Sequence, residues 1–149
     1  MVKIENVNQV TLELLEAMLR LVPQLTNSSP PPTPEELDAL LGSECANLFI
    51  ARDAASGLIA GMATLVLYRV PTGLRGYMED VVVDQAARGQ GIGEALTKAC
   101  LEAAHKAGAP QVGLTSHPGR VAANVLYRKM GFEQRNTNVY RYVFKKSRG

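Results

Sequence analysis

The chain of 149 residues contains no tryptophan, and aromatic residues make up only 5% of it. Its two cysteines, Cys45 and Cys100, are too few for the disulfide framework of a small secreted domain. No run approaches the ~18 consecutive apolar residues that span a membrane. The first ten residues, MVKIENVNQV, lack the apolar core of a secretory signal. These absences predict a cytoplasmic protein with reduced thiols and no membrane partner.

Histidine is as scarce as cysteine, with only His105 and His117 in the chain. These two residues and the two cysteines show none of the short paired spacings of a zinc site, so no metal is predicted. His105 and Cys100 are five residues apart in a predicted helix and therefore do not share a face as a catalytic pair would. His117 follows a predicted strand and is interpreted as a loop residue.

The charges are distributed unevenly although the net charge is only +2. Residues 1–50 contain two Lys or Arg and seven Asp or Glu, whereas residues 101–149 contain nine and two. A basic half can attract polyanions, but no nucleic-acid recognition motif accompanies it, so no nucleic-acid partner is predicted. The acidic N-terminal third is compatible with a cationic substrate and equally with solvated helix faces.

Hydrophobic periodicity predicts a single domain, residues 1–149, in which helices and strands alternate. The first helix is predicted to bury Leu12, Leu15, Leu19 and Val22 and to end at Pro23, and a turn is predicted at residues 71–76. Because some strands are joined by hairpins and others by helices, a mixed sheet with helices on its faces is expected. The predicted strands are residues 3–7, 47–53, 58–70, 77–84, 111–116 and 138–144, and the predicted helices are residues 12–22, 34–41, 92–107 and 120–130.

The stretch EDVVVDQAARGQGIGEAL, residues 79–96, places three glycines between a strand and a helix. Backbone N–H groups at a helix start have no partner inside the helix, and glycines allow an anion to approach them closely. A nucleotide P-loop and a dinucleotide fingerprint are both disfavoured, because Glu94 stands where they need Lys or Gly. From the glycines alone, a phosphate site and a turn without a ligand both remain open.

The segment RGQGIG, residues 88–93, resembles the acetyl-coenzyme A signature of the GNAT N-acetyltransferase superfamily, Arg/Gln-x-x-Gly-x-Gly/Ala. Arg88, Gly91 and Gly93 fill its positions. AANVLYRKMGF, residues 122–132, resembles the family's downstream helix and Gly-Phe turn. The resemblance covers roughly residues 47–144. It implies an α/β fold of the GNAT type, with a mixed, mostly antiparallel sheet of about six to seven strands flanked by about four helices.

The resemblance implies transfer of an acetyl group from acetyl-CoA to a primary amine by direct attack in a ternary complex. The acceptor would be a small molecule, a peptide or a protein amine. A non-catalytic module that binds or senses acyl-CoA is the alternative. Homodimers are frequent in the family, and the sequence leaves the oligomeric state open. The cofactor-binding residues that the resemblance implies are Val81, Val82, Val83, Arg88, Gly89, Gln90, Gly91, Ile92, Gly93 and Asn124.

Glu79 is the first candidate for the catalytic base, because many family members carry a glutamate on this strand. Regular alternation would place Tyr77, Glu79, Val81 and Val83 on one face of the strand and Asp80 on the other. A bulge would change this arrangement, so Asp80 is the reserve candidate. A surface acid that forms a salt bridge or holds the substrate is the alternative for Glu79.

Tyr127 occupies the position at which the family places a general acid near the coenzyme sulfur. Its hydroxyl has an ordinary pKa of about 10, which suits proton donation to a departing thiolate. Ordinary packing in an amphipathic helix is the alternative for Tyr127.

Overall fold

The computed structural model describes residues 1–146. They divide into two compact units, Met1–His117 and a second unit that begins at Pro118. No helix within residues 1–146 combines the length and apolar character needed to cross a membrane. The elements are β1 (Val2–Val7), α1 (Leu12–Leu25), α2 (Pro34–Gly42), β2 (Ala46–Asp53), β3 (Ile59–Val70), β4 (Gly73–Val83), α3 (Ile92–Ala107), β5 (Val112–Gly113) and α4 (Val121–Lys129).

The first unit is built on a sheet of five strands in the order β1-β2-β3-β4-β5. Strands β1 to β4 are antiparallel neighbours, and β5 runs parallel to β4. The predicted mixed, mostly antiparallel sheet is confirmed, with five strands in residues 1–146 instead of six to seven. The turn predicted at residues 71–76 is shorter, because Val70 already pairs with Gly73. Residues 73–76 belong to β4 and pair with β3.

Helices cover both faces of this sheet. On one face α1 and α2 pack in a hydrophobic cluster that includes Leu14 and Met62. On the other face α3 lies so close that a Cβ on Gly61 would be 3.2 Å from Ile92 Cγ2 and from Leu96 Cδ1. Glycine at position 61 therefore allows the first turn of α3 to pack directly on the sheet.

Helix α1 differs from its prediction in its end and in its buried face. Pro23 lies inside the helix, which continues to Leu25. A proline in the last turn removes one backbone donor without stopping the helix. Leu12 and Leu19, expected to be buried, are 72% and 63% exposed. Leucines lie on more than one face of this helix, and packing against the sheet selects the buried set: Leu14, Ala17, Met18, Leu21 and Val22.

The second unit contains α4 and, within residues 130–146, no further helix or strand. Gly131 follows α4 with a φ of 98°, and the Phe132 N–H donates to Tyr127 O at 2.9 Å. The helix closed by Gly131 is thus confirmed. The prediction of a strand at residues 138–144 is wrong. A strand needs a neighbouring strand to pair its backbone hydrogen-bonding groups, and no strand in the described residues pairs with this segment.

Candidate active site

Strand β4 has a β-bulge at Asp80. Glu79 pairs with β3, and so does Val82, but between these pairs β4 advances three residues while β3 advances two. Asp80 has a φ of 50°, the only positive φ of a non-glycine residue in the described chain. Aspartate tolerates this left-handed conformation better than most residues. The irregularity that the sequence left open is therefore present, and it directly follows the candidate base.

The bulge determines which residues share a face with Glu79. Glu79 pairs with Thr64, and Val82 pairs with the residue two positions away on β3. Directly opposed residues project to the same face, as do residues two apart on one strand. Glu79 therefore shares its face with Val82, on the side covered by α1. The regular alternation predicted through Val81 and Val83 is wrong, because the extra residue shifts every later position by one.

The electrostatic environment of Glu79 favours its protonated form. Partial desolvation raises the pKa of its carboxyl group above the ordinary value, and the negative charge of Asp80 raises it further. The residue remains exposed as a whole, so solvent screening limits both effects. A carboxylate with a raised pKa is a better proton acceptor, which suits the role of a general base.

The outer edge of β4 is open along its C-terminal half. Strand β5 pairs only with residues 76–77, so residues 78–83 have no strand partner on that side within the described chain. Asp84 donates its N–H to a β3 carbonyl oxygen 2.7 Å away. Because the backbone groups of successive residues point to alternate sides of a strand, those of Val81 and Val83 face the open edge.

Val82 has a different place from its two neighbours. Its carbonyl oxygen points toward β3, where it would lie 3.0 Å from a Cβ on Gly61. Its side chain is buried in the cluster beneath α1. Of the three valines expected to line the cofactor site, Val81 and Val83 have backbone groups at the open edge of β4, whereas Val82 faces β3 and the core.

The glycine turn, residues 88–93, leads from β4 into α3. Gly89 and Gly91 have φ values of 80° and 77°, which glycine adopts with little strain. A Cβ on either residue would meet no atom within 4 Å, so neighbouring side chains do not require glycine there. Gly91 is the N-cap of α3 and supplies no side-chain hydrogen bond. No side chain caps the first N–H donors of α3, and the space beside Gly89 and Gly91 is open. A helix start of this kind fits a phosphate group.

The other residues of this turn divide into solvent-facing and buried ones. Arg88 and Gln90 are exposed, and Arg88 Nε lies 3.4 Å from Val83 O. Ile92 is 2% exposed and fixes the start of α3 in the core, and Gly93 lies in the first turn of the helix. The turn thus combines an exposed positive charge at the surface with a helix start that is packed in the core.

Two residues that sequence reasoning missed hold the segment between β4 and the glycine turn. Arg20 and Gln24 lie one helical turn apart on α1, and Arg20 Nε is 2.9 Å from Asp84 Oδ2. Gln24 Nε2 is 3.4 Å from Asp84 Oδ1, and Gln24 Oε1 accepts the Gln85 N–H at 2.8 Å. About sixty residues separate the partners in the chain, and no local pattern marks the pairing, so only the tertiary structure reveals it.

These contacts determine the ionisation of Asp84. Burial alone would raise the pKa of its carboxyl group, but hydrogen bonds from the Ala86 N–H, Arg20 and Gln24, with the charge of Arg20, outweigh burial and lower it. The ionised carboxylate accepts the Ala86 N–H at 3.1 Å and caps the short 3-10 turn at residues 85–87. Asp84 therefore stays negatively charged at neutral pH and ties the turn to α1.

The second unit carries the candidate general acid. Tyr127 is half-buried on α4, and its ring meets Phe132 edge to face with centroids 5.5 Å apart. Asn124 Nδ2 donates to Arg120 O at 2.8 Å, which fixes the amide at the start of the helix. Tyr127 and Asn124 thus lie one turn apart on a helix that ends where the Gly-Phe turn was expected.

Comparison with known proteins identifies the family of the chain. The model of the acetyltransferase (GNAT) family matches residues 13–132. The chain belongs to the GNAT family of acetyltransferases. Glucosamine 6-phosphate N-acetyltransferase 1 of Oryza sativa is 34% identical over 139 residues, which are 87% of this chain and 81% of the rice protein. The family assignment that the two sequence motifs indicated is thereby confirmed.

Solved structures share the same GNAT fold. An acetyltransferase of Trypanosoma brucei has a TM-score of 0.76 at 25% identity, covering 96% of this chain and all of that protein. Glucosamine-6-phosphate N-acetyltransferase of Arabidopsis thaliana has a TM-score of 0.79 at 23% identity, covering 95% of this chain and 98% of that protein. The fold class predicted from the sequence is confirmed.

Proposed function

We propose that this acetyltransferase uses acetyl-CoA and transfers the acetyl group to a primary amine by direct attack in a ternary complex. The observation that carries the proposal is the open edge of β4 leading into a glycine turn whose helix N–H donors have no side-chain cap. Such an edge and such a turn suit the two extended polar parts of one cofactor, a pantetheine arm and a diphosphate.

The backbone holds most of this cofactor in our proposal. Val81 and Val83 pair with the amides of the pantetheine arm as an added strand would pair with a sheet edge. The N–H groups of residues 88–93 donate to the diphosphate, and Arg88 adds a charge-assisted contact. Asn124 is assigned to the pantetheine arm. The bound cofactor supplies a thioester, an acyl donor that is already activated.

Glu79 and Tyr127 move the protons in our proposal. A protonated amine must lose a proton before it can attack, and a lysine side chain, for example, has an ordinary pKa of about 10.4. Glu79 accepts that proton, directly or through a water molecule, and its raised pKa favours acceptance. Tyr127 donates a proton to the departing thiolate. Asp80, which lies at the bulge on the open edge, is kept as the reserve base.

An amino sugar is the first acceptor class to test. The rice relative is named for acetylation of glucosamine 6-phosphate, and it matches most of this chain. Its acceptor is a small primary amine, which agrees with an exposed base at a sheet edge open to solvent. Peptide and protein amines are the other acceptor classes that the family implies.

The test is an acceptor panel incubated with acetyl-CoA. The panel contains glucosamine 6-phosphate, glucosamine, a polyamine, a peptide with a free N-terminus and a lysine peptide blocked at its N-terminus. For at least one acceptor, the amount of acetylated product, measured by mass spectrometry, and the amount of free coenzyme thiol are expected to rise together. Coenzyme binding in calorimetry without turnover on any amine would contradict the catalytic proposal and favour a sensing module.

A further inference from the structure

Thr64 on β3 lies directly opposite Glu79, on the face of the sheet that packs against α1. In the register of the sheet, Leu48 of β2 flanks Thr64 on one side and Glu79 of β4 flanks it on the other. Directly opposed residues project to the same face, with Cβ atoms about 4.5–5.5 Å apart. Leu48 is buried in the core, so Thr64 stands between the core and the candidate base.

The neighbouring positions on this face are mostly apolar. The residues that follow toward the glycine turn pair across the sheet and are buried in the cluster beneath α1: Ile50, Met62 and Val82. On the other side, Val66 pairs with Tyr77, and both are half-buried. A hydroxyl group and a carboxyl group therefore face each other at the border of the core.

Thr64 is one of two polar residues that the core buries within residues 1–146, and the two differ in their partners. Thr97 donates its hydroxyl to Gly93 O at 2.7 Å. Thr64 is only 9% exposed, yet its hydroxyl has no hydrogen bond to any group in the same range of residues. Every fully buried side-chain oxygen or nitrogen there has a partner, so the Thr64 hydroxyl must be open to solvent.

Threonine at position 64 is less favourable for folding than valine would be. Valine has nearly the same shape and equally suits a strand. A hydroxyl group in an apolar site loses hydration that only a hydrogen bond restores. Buried polar groups are nearly always paired with the protein or with an ordered water molecule. The Thr64 hydroxyl therefore needs a partner from outside the chain.

A water molecule between Thr64 and Glu79 is the partner that fits this geometry. No direct hydrogen bond joins the two side chains in the described residues, and polar groups at such a separation are commonly bridged by water. Since a hydroxyl and a carboxylate both accept hydrogen bonds, one water can donate to each of them. Its lone pairs then face the solvent side, from which an amine arrives.

We infer that Thr64 is a positioning residue for the proposed acetyl transfer: its hydroxyl and the Glu79 carboxylate hold one water molecule, and this water contacts the acceptor amine. We rest this inference on the proposed function, in which Glu79 is the base. The ammonium form of the acceptor gives one proton to the water, and the water gives one to Glu79. A neutral amine, the same water and a protonated carboxyl group result.

The first experiment measures the pKa of the Glu79 carboxyl group by carbon-13 NMR in the chain without substrate, with Glu79→Gln identifying the signal. Thr64→Val is expected to raise this pKa above its wild-type value, because the ionised carboxylate loses a positioned hydrogen-bond donor. Thr64→Ser keeps the hydroxyl and should stay near the wild type. Asp80 and Tyr77, the titratable neighbours of Glu79 on β4, are unchanged in these proteins. An equal or lower pKa in Thr64→Val would overturn the inference.

The second experiment measures kcat/KM with the amine of the panel that is acetylated fastest. Thr64→Val is expected to lower kcat/KM about tenfold, as the loss of one hydrogen bond to a charged group does, and to move its acid limb to higher pH. The dissociation constant of coenzyme A should change less than about twofold. Thr64→Ser should recover most of the loss. Thr72→Val, in the exposed turn between β3 and β4, is the control and should keep the wild-type value.

A double-mutant cycle with Glu79→Gln separates failure of the inference from failure of the proposed function. Thr64→Val should cause no further loss in Glu79→Gln, because Thr64 acts through Glu79. Multiplied losses, or a normal Thr64→Val beside an impaired Glu79→Gln, would overturn the inference alone. An unimpaired Glu79→Gln would overturn both. Thr64→Ala replaces Thr64→Val if that variant does not fold, and the NMR measurement decides the question where no amine of the panel is acetylated.

Discussion

The two units of this chain are stabilised by different kinds of contact. In the unit up to His117, a five-stranded sheet between helices buries a continuous core, and the glycine turn is tied to it at both ends. In the unit from Pro118, one helix closes on the Tyr127–Phe132 contact, and no residue up to 146 is buried. The conformation of the first unit is therefore set by a buried core, whereas the described part of the second unit has no buried core of its own.

This difference also separates the two halves of the proposed chemistry. In the proposal, most contacts with the cofactor come from main-chain groups of the first unit, which side-chain substitutions change only through conformation. Proton donation relies on one hydroxyl group of the second unit, which a single substitution removes. The four predictions that follow test this separation, from the largest expected effect to the smallest.

Gly91→Glu is expected to reduce coenzyme A affinity at least about 100-fold, or roughly 2.7 kcal/mol. The glutamate places bulk and negative charge where the diphosphate is assigned. Gly57→Glu is the matched control, because Gly57 has a φ of 75° and equally open space but lies in the turn before β3. Both variants should lose about 1–2 kcal/mol of folding stability from the positive φ. Calorimetry with coenzyme A showing equal affinity in the two variants would refute the assignment.

Tyr127→Phe is expected to lower kcat about 100-fold while the dissociation constant of coenzyme A changes less than about twofold. Phenylalanine retains the ring contact with Phe132, so the helix end should stay intact. Tyr68→Phe, at the end of β3, serves as the control and should keep wild-type kcat. Steady-state kinetics and calorimetry check the two parameters separately, and an unchanged kcat would return Tyr127 to a packing role.

Asp84→Asn is expected to lower the free energy of unfolding at pH 7 by about 1–2 kcal/mol, because it weakens charged hydrogen bonds. The lowered pKa of Asp84 means that its stabilisation is present above the ordinary pKa of about 3.9 and is lost as pH falls below it. The free energies of unfolding of wild type and variant, measured with urea, should thus converge in acid. Asp38→Asn, on the exposed side of α2, is the control, and its free energy of unfolding should follow that of the wild type at every pH. If the pH dependence of Asp84→Asn also followed that of the wild type, this ionic role of Asp84 would be excluded.

Asp80→Asn is expected to move the acid limb of the kcat/KM profile to lower pH. Removing the neighbouring negative charge lowers the pKa of Glu79, so the base is deprotonated at lower pH. Asparagine also tolerates the positive φ at this position, so the bulge should be retained. An acid limb that stays in place or moves to higher pH would mean that Glu79 is not the titrating base.

Local patterns in the sequence determined the elements that carry their own boundaries. Helix α3 begins at Ile92 and ends at Ala107 as predicted, since glycines stand directly outside both ends. Helix α2 begins after Thr33 with Pro34 in its first turn and a complete capping box. The glycine turn and the Gly131 end of α4 were recognisable for the same reason, because their positive φ values demand glycine wherever the rest of the chain lies.

The tertiary structure alone decided the features that depend on distant partners. The bulge at Asp80 comes from the register between two strands, and it changes which side chains accompany Glu79. The Arg20 contact with Asp84 joins residues 64 positions apart, and no pattern within a helix or turn encodes it. Residues 138–144 have strand propensity, but a strand exists only where another backbone supplies its hydrogen bonds. Propensity and spacing are properties of neighbours in sequence, whereas register and pairing belong to neighbours in space.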